Sequence, residues 1–410
     1  MSRRAHTVAR CAALFNAARM FIGSTSTLYL ISKGLSAADV MYLKAVQAAG
    51  LLLLEIPLGW WADRVGRKNP IIIGMLCGCA WLGITAAAGQ VIWLFVAEIF
   101  NAASLALIGA ALEAEFVDRY TDGLSADAHE AALTTGILHF TRLQYQAMAI
   151  AAGLGGIVYG ITPTGTWSTA AIFAAVSAVI FGLVYPSDRP PGAAATSHLQ
   201  PVGASAVWRA VASSHRGALS VVISSGLLFA SFQISIQYWQ ISLLDVGAGS
   251  ADGAAGGALF GGVFVAILLV QSRVDAATRL MRRHKSIVAG LVVLAPTIWL
   301  VALLTRLPVP ALAFAICAYF WLHRASMVVV DAYVNSRIPS HLRATIISAR
   351  STLARLMMLA VSPVVSAGVA KWSATGAVAV VGGLGVLGAV AILNISTRQR
   401  SDPEWEDSPG

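Results

Sequence analysis

The stretch Gly59-Trp60-Trp61-Ala62-Asp63-Arg64-Val65-Gly66-Arg67-Lys68 decides how the whole chain is read. Two glycines and four charged side chains fall within it, between apolar runs at 39–58 and 70–89. Each run has about the 20 residues that a helix needs to cross the hydrocarbon of a bilayer. The stretch therefore reads as a short polar loop between two membrane spans.

Ten further apolar runs lie outward from this loop, at about 8–31, 91–117, 134–161, 166–186, 217–244, 253–272, 284–305, 308–335, 344–371 and 375–397. The twelve runs are numbered here as spans in chain order. Composition agrees: 57% of the 410 residues are hydrophobic and 11% charged, where soluble domains carry roughly 25% charged residues. A mean hydropathy of +0.74 excludes a protein that faces water throughout. The basic start followed by an apolar run could suggest a signal peptide, but Asn16 and Arg19 interrupt the run, so it reads as the first permanent span. Segment 187–216, rich in Pro, Ser and Ala, divides the spans into 1–186 and 217–397 and reads as a linker on the cytoplasmic side. The polar tail 398–410 is expected to be disordered there.

Basic residues set the orientation, because positive loops stay inside. With the N-terminus inside, 19 of the 28 Lys and Arg fall in inside segments and only Lys33, Arg306 and Lys371 in outside loops. Both termini are thus expected in the cytoplasm of a multi-pass inner-membrane protein. The net charge of +9 then serves topology and anionic lipid rather than nucleic acid. Cys11, Cys77, Cys79 and Cys317 all lie in apolar runs, so neither a metal site, a disulfide nor a cofactor is expected.

The ten-residue loop resembles the G-x-x-x-D-R-x-G-R-K/R signature of the major facilitator superfamily, in the place where that family carries it. Ala277-Thr278-Arg279-Leu280-Met281-Arg282-Arg283 is a decayed copy between spans 8 and 9. The resemblance implies an all-α membrane protein of twelve transmembrane helices in two pseudo-symmetric six-helix bundles, moving a small molecule by alternating access. It also implies a gate built from Gly59, Asp63, Arg64, Gly66, Arg67 and Lys68. In such families the aspartate at the end of span 4, here Asp118, pairs with the signature arginine, here Arg64, while Asp63 meets the start of span 11 near Arg350. Preceded by Glu55-Ile56-Pro57-Leu58, the signature is closest in pattern to the multidrug and metabolite efflux branch. Two departures weigh against drug export by proton exchange: span 4 holds no arginine, and the glycine-proline motif of span 5 is only echoed in Gly153-Leu154-Gly155-Gly156.

Ionisable residues inside spans cost about 2.5–3.5 kcal/mol each on insertion scales, which makes them candidates for function. They recur at helical spacing: Asn16, Arg19, Gly23 and Ser26; Lys44, Gln47 and Glu55; His139, Arg142 and Gln146; Gln233, Gln237 and Gln240; Arg324 and Asp331; Ser351, Arg355 and Met358. The resemblance places these spans around a central cavity. Arg19, Lys44, Gln47, Arg142, Gln146, Gln233, Gln237, Arg324 and Arg355 are the candidate substrate residues, and their basic balance favours an anionic or amphiphilic compound held by arginine. Lys44 has a second reading, snorkelling outward. Arg324 and Asp331 have one too, partial neutralisation of each other. Glu98, Asp331 and His139 are the candidates for carrying a coupling proton, His139 having packing as its alternative.

Proton-coupled export by a monomer is the leading expectation, and proton-coupled uptake of an anionic nutrient or metal chelate the alternative. Nothing in the chain points to an enzyme: HExxH, GxSxG and P-loop motifs are absent.

Overall fold

The computed structural model describes residues 3–109, 111–121, 126–185, 216–249, 253–272, 285–337 and 340–397. The second-half copy of the signature and nearly all of the linker lie outside them, as do the tail and the side chains of Asp63 and Asp331. The described residues are helical, with no strand among them, and their helices amount to twelve spans.

In chain order the helices are α1 (Arg3–Met20), α2 (Ser26–Ser32), α3 (Asp39–Val65), α4 (Lys68–Ala87), α5 (Val91–Ile108), α6 (Ala111–Thr121), α7 (Ala126–Ile161), α8 (Pro163–Val184), α9 (Arg216–Asp245), α10 (Gly253–Ser272), α11 (Lys285–Leu304), α12 (Val309–Arg337) and α13 (Ser340–Thr397). One span read from sequence as continuous is broken: span 1 is α1 and α2, separated by turns at 21–25, while α5 and α6 together make span 4. Conversely α13 covers spans 11 and 12, with its helical geometry lost at Trp372 and at Ser373, whose φ is 51°. Asp245 at the end of α9 caps the restart, accepting from the Ser373 hydroxyl at 2.9 Å and the Ala374 N–H at 3.0 Å.

Among the described residues, six helical segments are long and apolar enough to cross a membrane by themselves: Asp39–Ala62, Lys68–Ala87, Val91–Thr121, Pro163–Val184, Gly253–Ser272 and Ala349–Val390. Large apolar side chains point outward, Leu53 at 75% and Leu183 at 81% exposure, while Arg19, Glu98, Glu115 and Arg119 are buried. This inversion of the water-soluble pattern is what a hydrocarbon solvent requires.

The helices group into two compact units. The first comprises α1–α8 with α10, and the second α9 with α11–α13. In the first unit α10 lies along α7 with almost no space between the backbones. A Cβ on Gly156 would sit 2.6 Å from the Gly257 carbonyl oxygen, and one on Gly257 would sit 2.1 Å from that of Gly156. Only glycine fits at either position. In the second unit α9 packs along α13, which also carries α11.

Candidate functional site

Helix α5 carries Glu98, Asn101 and Ser104 at three-residue spacing, on the side it turns into the first unit. All three are buried. Lys44 reaches across from α3 and donates to Glu98 Oε1 at 2.8 Å. Asn101 Nδ2 donates to the other carboxylate oxygen, Oε2, also at 2.8 Å. Arg19 on α1 donates to Asn101 Oδ1 at 2.6 Å and to Ser104 Oγ at 3.4 Å. Its guanidinium lies over the Trp81 ring of α4, 4.7 Å from the centroid. Four helices thus contribute to one buried network in which two cations meet one carboxylate. A bare charge at this depth would be very costly; here every charge has a partner.

The other candidates in the first unit lie apart from this network. Gln47 is half-buried, and Arg142 and Gln146 are exposed one turn apart on α7. No ion pair to Arg142 occurs among the described residues. Its neighbour Gln144 accepts from Asn16 of α1. His139, also exposed, meets His6 edge to face with ring centroids 6.0 Å apart. Burial, then the charges of Arg10 and His139, hold the His6 imidazole below its usual range.

The signature loop turns at Gly66, whose φ of 82° and ψ of 164° suit glycine alone. Nothing lies within 4 Å of where a Cβ would project from Gly59, so close packing is not what calls for glycine there. The expected ion pair of Asp118 is corrected in one respect: its partner is Arg67, at 2.6 Å, rather than Arg64. Arg64, in the last turn of α3, folds back over the Trp60 ring at 3.6 Å. The turn at Gly66 delivers Arg67 to the start of α4, beside α6. There Arg67 also lies 3.6 Å from buried Glu115, which pairs with Arg119 one helical turn on. Tyr185, just after α8, closes the group: Arg119 and Lys68 stand over its ring at 5.3 and 5.7 Å.

In the second unit Gln233 and Gln237 on α9, Arg324 on α12, and Arg350 and Arg355 on α13 are half-buried. The feature that stands out there is aromatic. The His323 ring lies nearly parallel to Phe232 at 5.4 Å and to Tyr319 at 5.8 Å. Trp299 of α11 packs against Tyr319 at 5.2 Å. Ser231, Pro296, Tyr319 and His323 line a small cleft.

Reading the sequence missed Asn101, Ser104, Trp81, Arg119, Tyr185 and His323. The spacing from Glu98 to Asn101 and Ser104 was the available signal for two of them. The rest are ordinary interfacial aromatics and charges until their neighbours are known.

The sequence matches the Major Facilitator Superfamily over residues 9–359. The chain belongs to this superfamily. Solved structures agree on the fold. A nucleoside transporter, NupG, superposes with a TM-score of 0.72 at 12% identity, covering 97% of this chain and 100% of its own. A bacterial homologue of the human lysosomal transporter Spinster, inward-facing and occupied, gives 0.71 at 14%, with 99% and 98% covered. A POT family transporter in complex with 5-aminolevulinic acid gives 0.72 at 13%, with 97% of both chains covered. A comparison with curated proteins finds no match. As a superfamily member the chain is a multi-pass membrane transporter, and its all-helical fold is the superfamily's own.

Proposed function

We propose that this transporter moves a small organic anion or anionic amphiphile across the inner membrane by alternating access, coupled to protons. Segments 1–186 and 217–397 act as the two halves, and both termini lie in the cytoplasm, as the distribution of basic residues favours. The observation that carries the substrate class is Arg142, an exposed guanidinium with no ion pair among the described residues, where Lys44 and Arg119 are each paired with a carboxylate. Arginine stays charged in any such setting and holds carboxylate or phosphate in a two-pronged grip. Gln146, Gln233, Gln237, Arg324 and Arg355 complete the substrate path. The buried Lys44–Glu98 pair supports proton coupling, because protonating Glu98 removes the one negative charge that pairs with Lys44 among the described residues. Asp331 and His139 remain in the same role as alternates. The Arg67–Asp118–Glu115 cluster, with Asp63, Arg64 and Arg350, works as the gate.

Export in exchange for protons is the direction that the efflux-like signature favours. Uptake together with protons is the second reading, and one observation favours it: a proton on Glu98 would free a cation for an incoming anion.

The test uses everted vesicles energised acid inside, with matched anionic and cationic amphiphiles added while the pH gradient is followed. Gradient dissipation by anions, lost in Arg142→Ala, is the expected result for export. Dissipation by cations alone would sink the anion assignment. If neither panel acts, the same panels go to right-side-out vesicles, where uptake gives the signal.

A further inference from the structure

Asn101 stands between two groups that cannot exchange roles. The Arg19 guanidinium can only donate hydrogen bonds and the Glu98 carboxylate can only accept them. The amide must therefore turn its oxygen to Arg19, at 2.6 Å, and its NH2 to Glu98 Oε2, at 2.8 Å. Ser104 and the Trp81 ring fix the guanidinium from the other sides. All three are buried: Arg19 is 9% exposed, Asn101 2% and Glu98 2%.

This geometry has a consequence for a proton arriving at Glu98. An amide free to rotate would turn its oxygen toward a newly protonated Oε2 and accept from it. Arg19 forbids that rotation, because it would bring the amide NH2 against the guanidinium donors. Oε2 thus faces a donor in both protonation states, and the oxygen left for the proton is Oε1, which Lys44 holds at 2.8 Å. We propose that Arg19 is a positioning residue: by locking the Asn101 amide it directs the coupling proton to Glu98 Oε1, so that protonation and release of Lys44 are one event. The proton adds to Oε1, the carboxylate becomes a neutral acid, and the Lys44 ammonium leaves with its three protons and its charge. Arg19 does not touch the substrate. Among the described residues, the groups that face Glu98 are Lys44 from α3 and Asn101 from α5 itself, with the Arg19 charge of α1 behind Asn101; Ser104 and Trp81 act on Arg19.

The proposal rests on Glu98 being the proton carrier, and infrared spectroscopy separates the two. Acid-minus-neutral difference spectra of the protein in proteoliposomes contain a carboxylic C=O stretch from Glu98, recognised by its loss in Glu98→Gln. Arg19→Lys keeps the positive charge but is one atom shorter, which withdraws the donor from Asn101 Oδ1, so the amide can turn and the Glu98 band shifts. Asn101→Ala shifts it as well. Arg19→Lys added to Asn101→Ala then produces no further shift. A Glu98 band that Arg19→Lys leaves in place, or shifts equally in both backgrounds, overturns the positioning role while leaving Glu98 as the carrier. Absence of any band lost in Glu98→Gln overturns the carrier reading and the proposal with it. Should Asn101→Ala not fold, Asn101→Ser, whose hydroxyl can turn either way, serves in its place.

Discussion

The two units place a tryptophan at a similar position of their corresponding helices, Trp81 on α4 and Trp299 on α11, and surround it differently. Trp81 meets the Trp167 ring edge to face at 5.8 Å, and beside it lies an ionic network: Arg19 over the ring, Asn101 and Ser104 on Arg19, and Glu98 held between Asn101 and Lys44. Around Trp299 the neighbours are stacked rings. Among the described residues the Trp299 Nε1 has no acceptor and the Tyr319 hydroxyl no bond of normal geometry. Ser235, beside Tyr319, spends its own proton on the Ser231 carbonyl. A repeated fold thus tolerates either solution at one position. The ionic one requires completeness, since each member is satisfied only by the next. The aromatic one tolerates gaps, because dispersion between rings is spread over many weak contacts.

Breaking the comparison begins with Glu98→Ala, which strands Lys44 and Arg19 without their carboxylate. Removing one partner of a buried ionic group costs about 3–5 kcal/mol, measurable as a loss in denaturant unfolding of the purified protein. The matching change in the second unit, His323→Phe, preserves a stacked ring and is expected to cost at most about 1.5 kcal/mol, the scale of an aromatic pair. Equal losses for the two variants would abolish the distinction between an interdependent network and a distributed one.

A smaller effect sharpens the same point. Tyr319→Phe deletes a buried hydroxyl that makes no hydrogen bond of normal geometry among the described residues, so the thermal midpoint is expected to stay or rise, by about 1 kcal/mol of stability at most. A clear fall would mean that the hydroxyl is satisfied within the cleft beside it.

The smallest effect is a response to pH at one end of the first unit. Because the folded protein holds His6 below its ordinary value of 6.5, the unfolded chain takes up a proton more readily. The contribution of His6 is therefore fully present above that value and lost as pH falls through it. Hydrogen exchange over residues 3–20 should quicken between pH 7 and pH 5 beyond the intrinsic change. His6→Ala should remove the excess, and an undiminished excess in that variant would assign it elsewhere.

Much of this protein was legible in the chain, for a physical reason. Bilayer thickness sets helix length and hydrocarbon excludes charge, so span number, the signature loop and the residues carrying unusual charge all follow from one-dimensional spacing. Helical periodicity also placed Arg19 and Lys44 on polar stripes of their own helices. Periodicity fixes an angle about one axis and says nothing of the neighbouring axis that the stripe meets. Arg19 and Lys44 were therefore assigned together with Arg142, yet Arg19 and Lys44 turn into a closed network and Arg142 does not. The partner of Asp118 depended likewise on the turn at Gly66, which presents Arg67 and sends Arg64 back onto Trp60. Sequence alone determined that this is a twelve-span chain of the superfamily with a basic interior. Only the tertiary structure decided which of the buried charges neutralise one another, because that depends on distances of 3 Å between helices far apart in the chain.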